Sequence, residues 1–70
     1  MMPLTLAAAG EEALIRKVGG TAEVRQHLAD LGFVPGETVT VVSAFGGNVI
    51  VQIKASRIAI DSQMAQKIMI

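Results

Sequence analysis

The sequence predicts a mainly β domain: a small β-barrel of five to six short strands, with one three-turn helix and one short helical turn. Three observations lead to this prediction. The chain has 70 residues, which suits a single domain with one core over 1–70. Its apolar content of 51% is too high for a disordered segment. Short runs rich in Val, Ile and Thr alternate with Gly, Pro and Asn, as in strands joined by tight turns. Closing these strands into a barrel would remove exposed sheet edges.

The predicted strands are short, and most are bounded by glycine or asparagine. The clearest hairpin joins a run at 38–44 to a run at 49–54, in which apolar and polar residues alternate. Gly46 and Gly47 can form its turn, because glycine tolerates positive φ. A run at 13–18 breaks the period of two, which indicates a bulge or an edge. The predicted strands are 4–6, 13–18, 38–44, 49–54, 57–60 and 68–70.

The strongest helix prediction runs from Thr21 to Leu31. Thr21 is a suitable N-cap residue. Val24, Leu28 and Leu31 then recur at i, i+4 and i+7 and form one apolar stripe. Gly32 follows at the position where a left-handed residue ends a helix at little cost. The pattern therefore predicts a three-turn amphipathic helix that packs Leu28 into the core.

A second, shorter helical turn is predicted at 62–66. Asp61 can cap this turn with its carboxylate, and Ala65 would face the core. The alternation within the strands gives the remaining core residues. The strand residues expected to face inward are Ile15, Val18, Val49, Val51, Ile53, Ile58 and Ile60.

Charge and composition exclude several classes of function. Six basic and six acidic residues give a net charge of zero, and the basic residues are scattered along the chain. No nucleic-acid partner is expected, because phosphate binding needs clustered Lys and Arg. Cysteine is absent, which removes disulfides and thiolate chemistry and fits a reducing cytoplasm. No run approaches the roughly 18 apolar residues of a membrane span, so direct membrane insertion is not expected.

The sequence predicts a binding protein rather than an enzyme. Ser43, Ser56 and Ser62 share one imidazole base, and no nucleophile-elbow motif is present. A catalytic carboxylate pair would need a cleft that a chain of this size can hardly form. We therefore expect no catalytic residues and no cofactor.

His27, the only histidine, lies on a polar strip of the predicted helix with Glu23 and Asp30. On a helical wheel the three residues fall within about 60°. Their oxygen and nitrogen atoms would suit a hard or borderline divalent ion. A solvated helix face explains the strip more simply, because a metal site needs partners that fix its ligands. No metal ligands are assigned on this basis.

Arg25, His27 and Phe45 are the first candidates for contact with a protein partner. Arg25 and His27 lie on the predicted helix, and Phe45 lies at the apparent hairpin turn. An aromatic residue with a flanking arginine is a common composition of binding hot spots. As alternatives, Phe45 could fold back over the barrel mouth. Arg25 could be a solvated side chain whose stem covers apolar surface.

The order of these segments resembles the ferrous iron transport protein A family, FeoA, whose domain is an SH3-like barrel. The resemblance is sharpest from Arg25 to Gly36, which is similar to a family signature of the form basic-x-x-Leu-x-x-Leu-Gly-apolar-x-Pro-Gly. It extends from 4–6, through the turn at 46–48, to the C-terminal segment 65–70. Nearly the whole chain is covered.

The resemblance implies a small cytoplasmic accessory protein of bacterial ferrous iron uptake. Such a protein would contact the cytoplasmic part of a FeoB-type membrane permease and would lie at the inner face of the membrane through that partner. Arg25 matches the basic position of the family signature, and His27 is a second basic residue within the same segment. The alternative is a metal-sensing or repressor-like regulatory SH3-like module that binds a transition metal ion directly. The oligomeric state stays open, with a monomer as one outcome.

Overall fold

The computed structural model describes all residues, 1–70, and contains six strands, two α-helices and one 3-10 helix. The mainly β fold class and the three-turn helix are therefore confirmed. In chain order the elements are a 3-10 helix Leu4–Leu6, β1 Glu12–Leu14, β2 Lys17–Val18, α1 Ala22–Asp30, β3 Thr38–Phe45, β4 Asn48–Ile53, β5 Ser56–Asp61, α2 Ser62–Ala65 and β6 Ile68–Met69.

The strands form two antiparallel sheets around one core. The larger sheet has the order β1-β3-β4-β5, and the smaller one pairs β2 with β6. The chain passes from one sheet to the other at Ile15 and Arg16. The Ile15 N–H donates to the Glu37 carbonyl at 2.9 Å, and the Arg16 N–H donates to the Met69 carbonyl at 2.8 Å. The strand ladders form two sheets that pack on one core and are not closed by hydrogen bonds, which is a departure from the predicted small β-barrel.

Two predicted strands are wrong in detail. The first, at 4–6, is a 3-10 helix, because Pro3 precedes it and the Leu6 N–H donates to the Pro3 carbonyl at 3.0 Å. This geometry buries Leu4 and exposes Leu6, whereas a strand would put both residues on one face. The second, at 13–18, is two short strands in different sheets. The broken period in this run marks a corner of the chain and not a bulge, and β1 lies at an edge of the larger sheet, which was the predicted alternative.

Helix α1 begins where the sequence predicts. Thr21 is extended and its hydroxyl accepts from the Val24 N–H at 3.2 Å, which satisfies one of the free donors of the first turn. Glu23 lies in that first turn, where the helix dipole favours a negative charge. Leu28 is completely buried in the core, as predicted.

The C-terminal end of α1 is a complete Schellman motif. The Gly32 N–H donates to the Ala29 carbonyl, and the Phe33 N–H donates to the Leu28 carbonyl, both at 2.9 Å. Gly32 has φ +104°, which confirms the predicted left-handed position. Phe33 and Leu28 are both buried in the core, so the motif also directs an aromatic ring inward.

The β3–β4 hairpin carries five of the 13 buried core residues. Its two-residue turn places Gly46 at φ +58° and Gly47 at φ +84°, as the sequence predicts. A bulge in β3 leaves Val42 without a partner in β4. The predicted inward residues are buried except for the half-buried Ile58. The buried residues are Leu4, Ile15, Val18, Leu28, Phe33, Val39, Val41, Val49, Val51, Ile53, Ile60, Ala65 and Ile68.

Candidate functional site

One outer face of α1 and the loop that follows it enclose a surface depression of about 400 Å³, named here the α1 groove. Four groove residues come from the helix at i, i+3, i+4 and i+7, so they share one face. Two of these four are alanines, and their small side chains leave the concavity open. The lining residues are Val18, Ala22, Arg25, Gln26, Ala29, Phe33, Val34 and Pro35.

The far wall of the α1 groove is a tight turn that the sequence determines locally. The Glu37 N–H donates to the Val34 carbonyl at 3.1 Å and closes the turn around Pro35 and Gly36. Gly36 has φ +92°, the conformation that the third residue of a type II turn requires. With Phe33 buried, Val34 is turned outward and keeps 37% of its surface exposed. The turn therefore presents an apolar side chain to any segment in the groove.

Arg25 forms the charged rim of the α1 groove. One guanidinium nitrogen donates to the Gly20 carbonyl at 3.0 Å, which holds the side chain near the N-terminal end of α1. An arginine has five N–H donors in a planar fork, so the remaining donors are available to a carboxylate. Beside it, the Gln26 amide donates to Asp30 at 2.9 Å. The rim thus combines one restrained cation, Arg25, with a polar side chain, Gln26, whose amide is already hydrogen-bonded within the helix.

His27 lies on a different side of α1 from Arg25. It lines a separate depression of about 370 Å³ together with Glu23, Val24 and Met64. The structure gathers no group of three or more His, Asp or Glu side chains that could hold a metal ion. Asp30, the third member of the predicted polar strip, is instead bonded to the amide of Gln26.

Phe45 lies at the tip of the β3–β4 hairpin and is 86% exposed. The alternative in which its ring folds back over the barrel is therefore wrong for this structure. The other end of the hairpin lies near the residue that ends α1, since a Cβ added to Gly32 would lie 3.6 Å from Ile53 Cδ1. The six residues of β4 separate these ends by roughly 17–20 Å. Phe45 therefore lies apart from the C-terminal end of α1.

The structure does not bring the three predicted partner-binding residues into one patch. Arg25 belongs to the α1 groove, His27 to the neighbouring depression, and Phe45 to the linings of neither. Residues two positions apart on a helix differ by about 200° in direction, which separates Arg25 from His27. Whether any of these residues binds a partner stays a prediction.

The sequence interpretation missed the α1 groove itself. Ala22 and Ala29 were not predicted to line a binding surface, because small residues carry no chemistry of their own. The available signal was their spacing with Arg25 and Gln26, a second helical stripe beside the leucine stripe. The outward position of Val34 could also have been inferred, because the hydrophobic residue that follows a helix-ending glycine, here Phe33, often packs back on the helix.

No helix in the structure is both long enough and apolar enough to cross a membrane.

Comparison with known proteins gives one consistent family. The chain is 36% identical over all of its 70 residues to the protein of Methanocaldococcus jannaschii that is named as an Fe(2+) transport protein A, and it covers 85% of that protein. A crystal structure described as iron uptake regulatory protein FeoA superimposes with a TM-score of 0.88 at 27% identity, over 96% of this chain and 89% of that one.

Two further structures place the fold. FeoA of Stenotrophomonas maltophilia in complex with zinc, described as a procaryotic SH3 domain protein, matches with a TM-score of 0.83 at 27% identity, over 99% of this chain and 88% of that one. A manganese-dependent transcriptional repressor matches with a TM-score of 0.86 at 19% identity, over 94% of this chain but only 38% of its own. At 19% identity, the match to the repressor shows only that the two proteins share a fold. Because the model of the FeoA domain matches residues 2–70, the chain belongs to the FeoA domain family.

Proposed function

We propose that this protein is a non-enzymatic accessory of ferrous iron transport that contacts the cytoplasmic part of a FeoB-type permease. The family and the relative named for Fe(2+) transport support the iron-transport role. The observation that supports a contact function is the α1 groove, with apolar walls and one restrained arginine at its rim. In this role the protein works in the cytoplasm, at the inner face of the membrane.

The α1 groove suits a short partner segment that combines apolar side chains with a carboxylate. Val34 and the alanine face of α1 supply apolar contact area. Arg25 supplies a cation that is already oriented by its bond to Gly20, so less conformational entropy is lost on binding. Binding to one state of the permease in preference to another would then shift its equilibrium.

Phe45 and His27 are proposed as secondary contacts around this centre. The ring of Phe45 is almost fully exposed, and exposed aromatic side chains are frequent anchors in protein interfaces. His27 lies on the side of α1 that faces away from the groove, in the separate depression. A large partner such as a permease domain could reach both residues while a segment of it occupies the groove.

Affinity for the purified cytoplasmic part of the FeoB-type permease from the same organism tests the proposal. We expect Arg25→Ala and Phe45→Ala each to raise Kd about fivefold or more, which corresponds to about 1 kcal/mol. Arg16→Ala and Leu6→Ala are matched controls, because both residues are exposed and lie outside the groove. Thermal melts of each variant show whether it is folded.

The two variants test different parts of the proposal: Arg25→Ala tests the α1 groove, and Phe45→Ala tests the hairpin tip. If Arg25→Ala binds as tightly as the wild type while folded, the α1 groove is not the contact surface. If only Phe45→Ala weakens binding, the contact lies at the hairpin tip. If the wild-type protein does not bind the permease domain at all, the proposed function is wrong.

Direct metal binding is the second candidate function. Glu23, His27 and Met64 line one depression and offer a carboxylate, an imidazole and a thioether. The related FeoA of Stenotrophomonas maltophilia was solved with zinc. Anaerobic titration with ferrous ion, and separate titration with zinc ion, tests this candidate. Sub-micromolar affinity that is lost in His27→Ala and kept in Glu12→Ala would favour a metal-sensing role over a contact role.

A further inference from the structure

The larger sheet ends in an unpaired edge at β5. This strand pairs with β4 on one side, and no other strand pairs with its opposite side. None of the backbone hydrogen bonds formed by turns and loops involves Arg57 or Ala59. Such an edge offers free N–H and C=O groups to another strand.

The register identifies which backbone groups of β5 point outward. Ile53 and Ser56 flank a two-residue turn, so they form a hydrogen-bonded pair. Bonded and non-bonded pairs then alternate along an antiparallel ladder, which directs the amides of Ile58 and Ile60 toward β4. By the same alternation, the amide groups at Arg57, Ala59 and Asp61 point away from β4.

The opposite end of β4 gives the same assignment independently. Phe45 and Asn48 flank the other two-residue turn, so Asn48 bonds to β3. The alternation then directs Ile50 to β3, and Val49 and Val51 to β5. The outward direction of the odd-numbered amides in β5 therefore follows from both hairpins.

We propose that the free edge of β5 pairs two copies of this chain in an antiparallel dimer whose two-fold axis passes through Ala59. In that register Ala59 lies opposite Ala59 of the second copy, and all outward-pointing residues meet outward-pointing residues. Arg57 of each copy then lies opposite Asp61 of the other, so two pairs of opposite charges form across the interface. The charges along β5 are therefore complementary to those of a second β5 strand. This complementarity is the reason that a second copy of the chain is proposed to occupy the edge.

The surrounding side chains agree with this arrangement. Arg57, Ala59 and Asp61 share the exposed face of β5, and Arg57 is held only by a long 3.4 Å bond to Gln52. On the inner face Ile58 is half-buried, and the two-fold register would place it beside Ile60 of the second copy. Pairing would therefore cover apolar surface that the monomer leaves partly open.

The N-cap of α2 limits the strength of the interface. Asp61 accepts from the Met64 N–H at 2.8 Å through one carboxylate oxygen, and as an N-cap its carbonyl already serves the helix. Its second carboxylate oxygen and its N–H remain available for the facing strand. The central Ala59 pair and the two Asp61 N–H groups then supply four intermolecular backbone bonds. An interface of this size is expected to give a weak, concentration-dependent dimer.

Sedimentation velocity over a concentration series to the millimolar range tests the dimer. We expect the wild-type protein to associate reversibly, and added salt to weaken the association, because exposed charge pairs are screened. Arg57→Glu places like charges opposite each other and should weaken association at least about tenfold. Arg16→Glu makes the same charge change at an exposed position away from β5 and should leave association unchanged.

Amide hydrogen exchange on the wild-type protein keeps the test independent of any folding defect. The Ala59 amide should exchange rapidly in dilute solution and become protected at high concentration. The amides of Ile58 and Ile60 bond to β4 and should stay protected at both concentrations. A protein that stays monomeric at millimolar concentration would overturn the proposal. So would a dimer that leaves Ala59 unprotected and tolerates Arg57→Glu, because it would use another surface.

Discussion

The C-terminal end of α1 depends on a backbone conformation that only glycine adopts at low cost, and Gly32→Ala measures that dependence. Gly32 has φ +104° and is held there by the two Schellman hydrogen bonds. An added Cβ would lie 3.6 Å from Ile53 Cδ1, which is an ordinary contact. Steric overlap therefore contributes little, and the backbone conformation determines the effect. We expect the free energy of unfolding to fall by about 1–2 kcal/mol.

Urea unfolding and thermal melts followed by circular dichroism measure this loss. For a domain of this size it corresponds to a decrease in Tm of roughly 4–16 °C. Gly19→Ala is the matched control, because Gly19 lacks a positive φ and its Cβ would lie 3.7 Å from the Lys67 carbonyl. That control should keep stability or raise it by up to about 1 kcal/mol. An unchanged melt for Gly32→Ala would refute the claim that this glycine terminates the helix.

Two further stability predictions concern the core and the second hairpin turn. Leu28→Ala should lower the free energy of unfolding by about 2–5 kcal/mol, because Leu28 has no exposed surface. Leu6→Ala, at a position that is 67% exposed, should change it by less than about 0.5 kcal/mol, and equal losses in urea unfolding would contradict this assignment of the core. Lys54→Gly should raise stability by up to about 1 kcal/mol, since Lys54 is the one non-glycine residue with positive φ. A net loss in the same assay would mean that the 3.6 Å ion pair with Glu37 outweighs the backbone strain.

The parts of the fold that the sequence predicted well are those set by local chemistry. Thr21 and Asp61 cap helices with their own side chains, and Gly32 ends α1 through its own φ. The turn at Gly46 and Gly47 is equally local, because two residues with positive φ are enough to define it. Each of these features needs information from only a few neighbouring residues, so a single sequence contains it.

The errors fall where distant segments decide the conformation. A three-residue pattern at Leu4–Leu6 fits a strand and a 3-10 helix equally well, and only the burial of Leu4 against the core separates them. The change of sheet between Ile15 and Arg16 depends on carbonyls from residues more than 20 positions away, at Glu37 and Met69. No periodicity within the run itself reports those partners.

The candidate site was predictable in part. The signature segment from Arg25 to Gly36 supplies both the rim and the far wall of the α1 groove. Its concavity also needs Val18 from the small sheet and the outward turn of Val34, which depend on tertiary packing. Phe45 was correctly placed at a hairpin tip, but its separation from α1 required the length and direction of β4.

The smaller sheet has a consequence for the order in which the molecule assembles. It pairs Lys17–Val18 with Ile68–Met69, only two residues on each strand, across about fifty residues of intervening chain. Closing so long a loop is entropically expensive, although the ladder is extended by the bonds from Arg16 to Met69 and from Gly19 to Lys67. This ladder is therefore expected to form after the local β3–β4–β5 meander. Val18 lies in that ladder and in the wall of the α1 groove. The shape of the groove is therefore coupled to the formation of this long-range ladder, and not only to the helix and turn that form its other walls.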